Sequence, residues 1–116
     1  MAKNIKIEKL ESIIMREVSQ IIRTKIKDID LINISLIEVN LTADKSMAKI
    51  YYSLLMNKDQ VEKYDNLLNG HLPKIKSFLA KSLDLYKIPK LSFVYDNNLE
   101  KANNIEDLIK KTSKSN

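Results

Sequence analysis

Leu85-Tyr86-Lys87-Ile88-Pro89-Lys90-Leu91-Ser92-Phe93-Val94-Tyr95-Asp96-Asn97 is the stretch that decides the fold. A helical pattern runs into it, Pro89 ends that pattern, and a short strand follows at once. Leu91, Phe93 and Tyr95 alternate with Ser92 and Asp96, as a half-buried strand requires. Upstream, Val61, Tyr64, Leu68, His71, Leu72, Ile75, Phe78, Leu79 and Ser82 keep roughly one helical face. Gly70 and Pro73 interrupt that face. Proline removes an amide donor and clashes with the preceding turn, so a kink or a break into two helices is expected around His71, Leu72 and Pro73. Asn57, with Gln60 three residues on, reads as the N-cap of this helical region.

Further upstream, Ile34 to Leu41 reads as a strand rich in β-branched and aliphatic residues. Residues 42–46 form the turn, and Met47 to Leu55 is a second strand. Ala48, Ile50, Tyr52 and Leu54 should face the helices, while Lys49, Tyr51 and Ser53 face solvent. A hairpin is the economical pairing. The chain opens with an amphipathic helix from Ile5 to about Ile26, with Ile7, Leu10, Ile14, Val18 and Ile21 on one stripe. Lys9, Arg16 and Arg23 are spaced by sevens and lie opposite that stripe. A solvated face and a rail for a phosphate backbone both fit this spacing. The expected order is α-β-β-α-kink-α-β, an α+β fold with the helices on one face of a three-stranded sheet.

The chain has 116 residues, of which 44% are hydrophobic and 30% charged, which suits one soluble domain rather than a disordered chain. A single domain over residues 1–109 is expected, with a polar, disordered tail over 110–116. Ile105, Leu108 and Ile109 suit a short terminal turn of helix. No apolar run approaches the ~20 residues of a transmembrane helix, and the N-terminus does not read as a signal peptide. With no cysteine there is no disulfide framework. A cytoplasmic location is the expectation.

The net charge is +5 and Arg16 and Arg23 are the only arginines. Lysine engages phosphate as a point charge and arginine grips it bidentately, so this balance favours backbone contact over base readout. Gly70 is the only glycine, which excludes a P-loop or a dinucleotide fingerprint. His71 is the only histidine, so no zinc set is expected. A core histidine bonded to a neighbour is its expected role, with a phosphate or partner contact at the kink as the alternative. The carboxylates Glu38, Asp44, Asp84, Asp96, Glu106 and Asp107 are scattered, and no enzyme is expected.

Three stretches carry a resemblance. Residues 39–44 followed by Ala48-Lys49-Ile50-Tyr51-Tyr52-Ser53 read as a valine strand, an aspartate turn and an Ala-Lys-apolar-Tyr strand. Ile75-Lys76-Ser77-Phe78-Leu79-Ala80-Lys81 resembles an Ile-Arg-x-x-Leu-x-Lys helix. Pro89-Lys90-Leu91-Ser92-Phe93-Val94-Tyr95-Asp96 resembles a Pro-Glu-Leu-x-Phe-x-x-Asp ending. In this order they resemble the ribosome-binding factor A family over most of Ile5 to Ile109. The resemblance implies a type II K-homology-like fold in which a helix–kink–helix replaces the Gly-x-x-Gly loop. By spacing from Ile75, the family's Ala-x-Gly kink falls on His71, Leu72 and Pro73.

The resemblance further implies a monomeric, non-catalytic maturation factor of the small ribosomal subunit. Its partners would be that subunit and its rRNA, with no cofactor, metal, membrane or small-molecule substrate. The implied RNA surface is Lys74, Lys76, Lys81, Lys87 and Lys90 around the kink, extended by Lys9, Arg16 and Arg23. A generic single-stranded RNA-binding module, stacking bases on rings such as Tyr51 or Tyr86, and a protein-interaction adaptor are the alternatives.

Overall fold

In the computed structural model the described residues are 5–83 and 87–96. They form α1 (Ile5–Thr24), a 3-10 helix (Ile29–Asn33), β1 (Ile34–Leu41), β2 (Met47–Leu54), α2 (Val61–Ser82) and β3 (Lys90–Tyr95). The sheet order is β1-β2-β3. β1 and β2 make the expected antiparallel hairpin, while β2 and β3 are parallel. A parallel neighbour needs a crossover, and α2 supplies it.

Alternation in the strands and the register between them build three rows across the sheet. Leu41, Ala48 and Leu91 form one, Val39, Ile50 and Phe93 the next, and Leu36, Tyr52 and Tyr95 the third. Strand period alone would put Leu36 and Val39 on opposite faces. A bulge at Ile37, where the register shifts between Leu36 and Glu38, absorbs the odd residue. Both halves of β1 therefore point inward. Against these rows pack Ile7, Ile14, Val18 and Ile21 from α1 and Tyr64, Leu68, Ile75 and Leu79 from α2, all buried.

The hairpin turn lacks glycine, and Lys45 takes the left-handed conformation with φ 62°. Asp44 offsets that strain. Its Oδ1 accepts from Thr42 Oγ1 (2.7 Å), Ser46 Oγ (2.7 Å) and Ser46 N (3.0 Å). These bonds, the Ser46 hydroxyl first, hold the Asp44 carboxyl down at about 2.

Four expectations need correction. Of the kink or break expected around His71, Leu72 and Pro73, the break is absent, because Pro73 lies inside the continuous α2. Pro73 is exposed there, so water can take the place of the amide donor that its ring lacks. Asn57 is not the N-cap of α2. Gln60 precedes the helix, without a side-chain cap, and Asn57 is a left-handed turn residue with φ 57°. α1 ends at Thr24 rather than Ile26, although the Lys25 and Ile26 amides both still reach the Ile21 carbonyl (2.8 and 3.2 Å). Last, the 3-10 helix has no counterpart in the expected order; Asp28 caps it by accepting from the Asp30 amide at 3.1 Å. The expected terminal turn at 105–109, the tail at 110–116, and Tyr86 lie outside the described residues.

Candidate nucleic-acid interface

Residues 25–33 run along α2 in the opposite direction and are tethered to it at three places. Lys25 Nζ lies over the Phe78 ring, 5.9 Å from its centroid. Asp28 Oδ2 meets His71 Nε2 at 3.2 Å. Asp30 pairs with Lys63 at 3.7 Å, and beside that pair Asn33 Nδ2 donates to the Tyr64 hydroxyl at 3.2 Å. His71 is thus bonded to a neighbour, as expected, but on a half-buried flank rather than in the core.

The first tether is the centre of the basic surface. Lys81 Nζ also lies over the Phe78 ring, 5.5 Å from its centroid. Two ammonium groups therefore share one half-buried ring. Each gains from the ring's negative face and from lying at the C-terminal end of its helix. Neither has a carboxylate within ion-pair distance among the described residues. Lys74 stands two helical turns before Lys81 on the same flank of α2, exposed. The seam between the helix ends thus gathers Lys25, Lys74 and Lys81, none of them in an ion pair with another described residue. That arrangement attracts an anion such as a phosphate.

The other expected site residues are exposed but do not join this seam. Lys9, Arg16 and Arg23 stand on the outer face of α1, opposite its buried stripe, as the spacing by sevens required. Arg16 also has a 3.6 Å contact to Glu17, worth little at a solvated surface. Arg23 borders a groove of about 360 Å³ between α1 and β1. Lys76 lies on the opposite flank of α2, the flank on which Asp65 accepts from the buried Tyr52 hydroxyl. Lys87 precedes β3. Lys90 opens β3 beside the hairpin turn, its amide donating to the Ser46 carbonyl at 2.9 Å. The expected residues thus divide among at least three places: the seam, the outer face of α1, and the end of the sheet near the turn.

Sequence reasoning missed Lys25. Its signal was present, because Lys25 falls seven residues after Val18, on the apolar stripe. A lysine there either snorkels or marks the helix end, and here it does both. Phe78 read as core and is instead a half-buried platform. Glu11 was missed as well. It interrupts the stripe between Ile7 and Ile14, is 9% exposed, and its Oε2 accepts the Leu41 amide at 2.7 Å.

No group of three or more His, Asp or Glu side chains is placed to hold a metal among the described residues. No helix among them is long and apolar enough to cross a membrane. Fold and surface together define a small basic α+β domain, two helices packed on one three-stranded mixed sheet.

The family model described as "Ribosome-binding factor A" matches residues 6–109. A ribosome-binding factor A of Streptococcus pneumoniae serotype 4 is 33% identical over 116 residues, covering 99% of this chain and 100% of the relative. The chain belongs to the ribosome-binding factor A family. Among solved structures, the crystal structure of ribosome-binding factor A from Thermus thermophilus superposes with a TM-score of 0.68 at 20% identity, over 77% of this chain and 94% of that one. A Thermus thermophilus ribosome-binding factor A model fitted into the cryo-EM map of a 30S complex gives 0.63 at 19% identity, over 77% and 93%. At these identities the two structures speak to the fold.

Proposed function

We propose that this chain binds the immature small ribosomal subunit through phosphates of its rRNA and assists late rRNA maturation there, as a cytoplasmic monomer and without catalysis. Family membership supports the partner, and the Thermus relative fitted into a 30S complex supports the same particle. The observation that carries the contact is the lysine seam, where Lys25 and Lys81 share the Phe78 ring with no carboxylate partner among the described residues. Such a site neutralises phosphate charge and reads no base edge. Lys9, Arg16 and Arg23 add a second basic surface on the outer face of α1, Lys87 and Lys90 a third at the start of β3, and Lys76 stands on the other flank of α2.

Co-sedimentation with purified free small subunits, assembled ribosomes and a short RNA, across a salt series, tests this reading. Selective, salt-sensitive retention on free small subunits is expected. Lys25→Glu, Lys74→Glu and Lys81→Glu should each weaken retention and lower the salt slope by about 1 for every phosphate no longer neutralised. Equal retention on every RNA would favour a generic RNA-binding module. Unchanged retention of the triple variant at low salt would remove the seam from the interface.

A further inference from the structure

The sheet order leaves β1 at an edge, and its ladder shows which backbone groups face away from β2. The Leu55 amide donates to the Asn33 carbonyl and the Thr42 amide to the Met47 carbonyl, both at 2.9 Å. Bonded and non-bonded pairs alternate in an antiparallel ladder. Ile34 and Leu36 at one end, and Leu41 at the other, therefore sit in non-bonded pairs with Leu54, Tyr52 and Ala48. Their amides and carbonyls point outward. Two of the three amides have a partner there: Glu11 Oε2 accepts from Leu41 N at 2.7 Å, and the Leu31 carbonyl accepts from Ile34 N. The Leu36 amide and the Ile34 and Leu36 carbonyls have none among the described residues. The edge is closed by α1 at the Leu41 end and open at the Leu36 end.

The open end faces the groove of about 360 Å³ between α1 and β1, which Ile22, Leu31 and Ile32 line with Ile34 and Leu36. Past Arg23 it runs on into a second hollow of about 430 Å³, lined by Lys27. Room for a further strand and for its side chains is thus already present, so a partner loses less entropy on docking. Backbone chemistry selects the class of partner. An outward amide between two outward carbonyls, at strand spacing, is matched by an extended peptide. A row of phosphates has no donor for the carbonyls. Arg23 and Lys27 are exposed and in no ion pair with another described residue, whereas Asp28, the carboxylate lining the second hollow, is bonded to His71. An antiparallel addition, the commoner pairing, brings the C-terminal end of the added segment to these two cations.

We propose that the open end of the β1 edge binds an extended protein segment. The segment adds to the sheet as an antiparallel strand, sets an aliphatic side chain against Ile22, Leu31 and Ile32, and brings a carboxylate to Arg23 and Lys27. The probe is a synthetic peptide of about six residues, the length of an ordinary strand, alternating valine and threonine and ending in glutamate. Titrated into the full chain, it should bind saturably and slow exchange of the Leu36 amide about tenfold. Methylating the peptide nitrogens of one alternate set should abolish binding, and methylating the other set should leave it unchanged, because every second amide of an added strand faces β1. An amidated peptide ending in glutamine should bind about tenfold more weakly. Ser19→Tyr, at a half-buried position lining the groove, should weaken peptide binding to a similar degree and leave retention on rRNA unchanged. No binding of the peptide, equal binding of the two methylated forms, or protection of the Leu36 amide by a short RNA and not by the peptide would each overturn the proposal. The methylated peptides leave the protein unaltered, so their result stands even where Ser19→Tyr fails to fold.

Discussion

Tyr52 has no exposed surface, and its hydroxyl donates to Asp65 on α2. Burial first, and the hydrogen bond second, push its ionisation well above the ordinary tyrosine value. A group raised in this way stabilises the fold below its unfolded value, near 10, and the contribution is lost as pH rises beyond it. Urea unfolding should therefore show an alkaline loss above pH 10 that is smaller in Tyr52→Phe. At neutral pH that variant should lose about 1–3 kcal/mol, because Asp65 keeps its half-buried position without its donor. Asp44 has the opposite sign. Its lowered carboxyl stabilises the turn above about 3.8 and ceases to do so as pH falls toward about 2. Asp44→Ala should remove that acid dependence, seen as a flatter stability profile between pH 4 and 2. Glu11 offers a third test. Glu11→Leu suits the apolar stripe but strands the buried Leu41 amide, and should cost about 1–3 kcal/mol in urea unfolding. A gain in stability would show that the Leu41 amide finds another acceptor.

At the scale of elements, α2 carries two residues that local propensity disfavours. Gly70 has no atom within 4 Å of where a side chain would begin and no positive φ. Gly70→Ala should then stabilise by about 0.5–1 kcal/mol and raise Tm by several degrees in a thermal scan. Pro73→Ala restores a helix amide at about 3 kcal/mol of propensity, offset by the greater freedom of the unfolded chain. The elements themselves were legible where alternation was strict. Leu91 and Phe93 face the core as their spacing required, and Ile34–Leu41, whose alternation a bulge breaks, was read to the residue from its β-branched and aliphatic content. The stripe of α1 was legible for the same reason, and so was its basic outer face. What could not be read has physical causes. Alternation says which face a side chain takes and not which strand lies beside it, so the parallel neighbour of β2 was invisible. The 3-10 helix escaped because Ile29 and Ile32 read as apolar and yet face out. The seam was half legible: Lys74 and Lys81 share a helix face, but Lys25 joins them only through the path of residues 25–33.

For the whole molecule, the separation of two exposed surfaces matters more than the total charge. The lysine seam lies at one end of α2 and an apolar groove lined by Ile29, Ile32, Leu55 and Met56 at the other, held in fixed relation by the tethers at Phe78, His71, Lys63 and Tyr64. Replacing His71 with Ala removes the middle tether. It should loosen residues 25–33, seen as faster amide exchange there, while the sheet stays protected. The core has no such redundancy, because Leu91 and Phe93 complete two of the three rows that fill it. Phe93→Ala should cost about 3–5 kcal/mol in a single unfolding transition. The parallel pairing of β3 with β2 also sets a schedule for synthesis. Residues 90–95 are the final strand of the sheet yet supply Leu91 and Phe93 to its interior. A nascent chain that has released the hairpin and α2 still presents one open side of β2 and an unfilled apolar layer. It closes only when residue 95 clears the exit tunnel, so until then the open side of β2 is an unpaired strand edge.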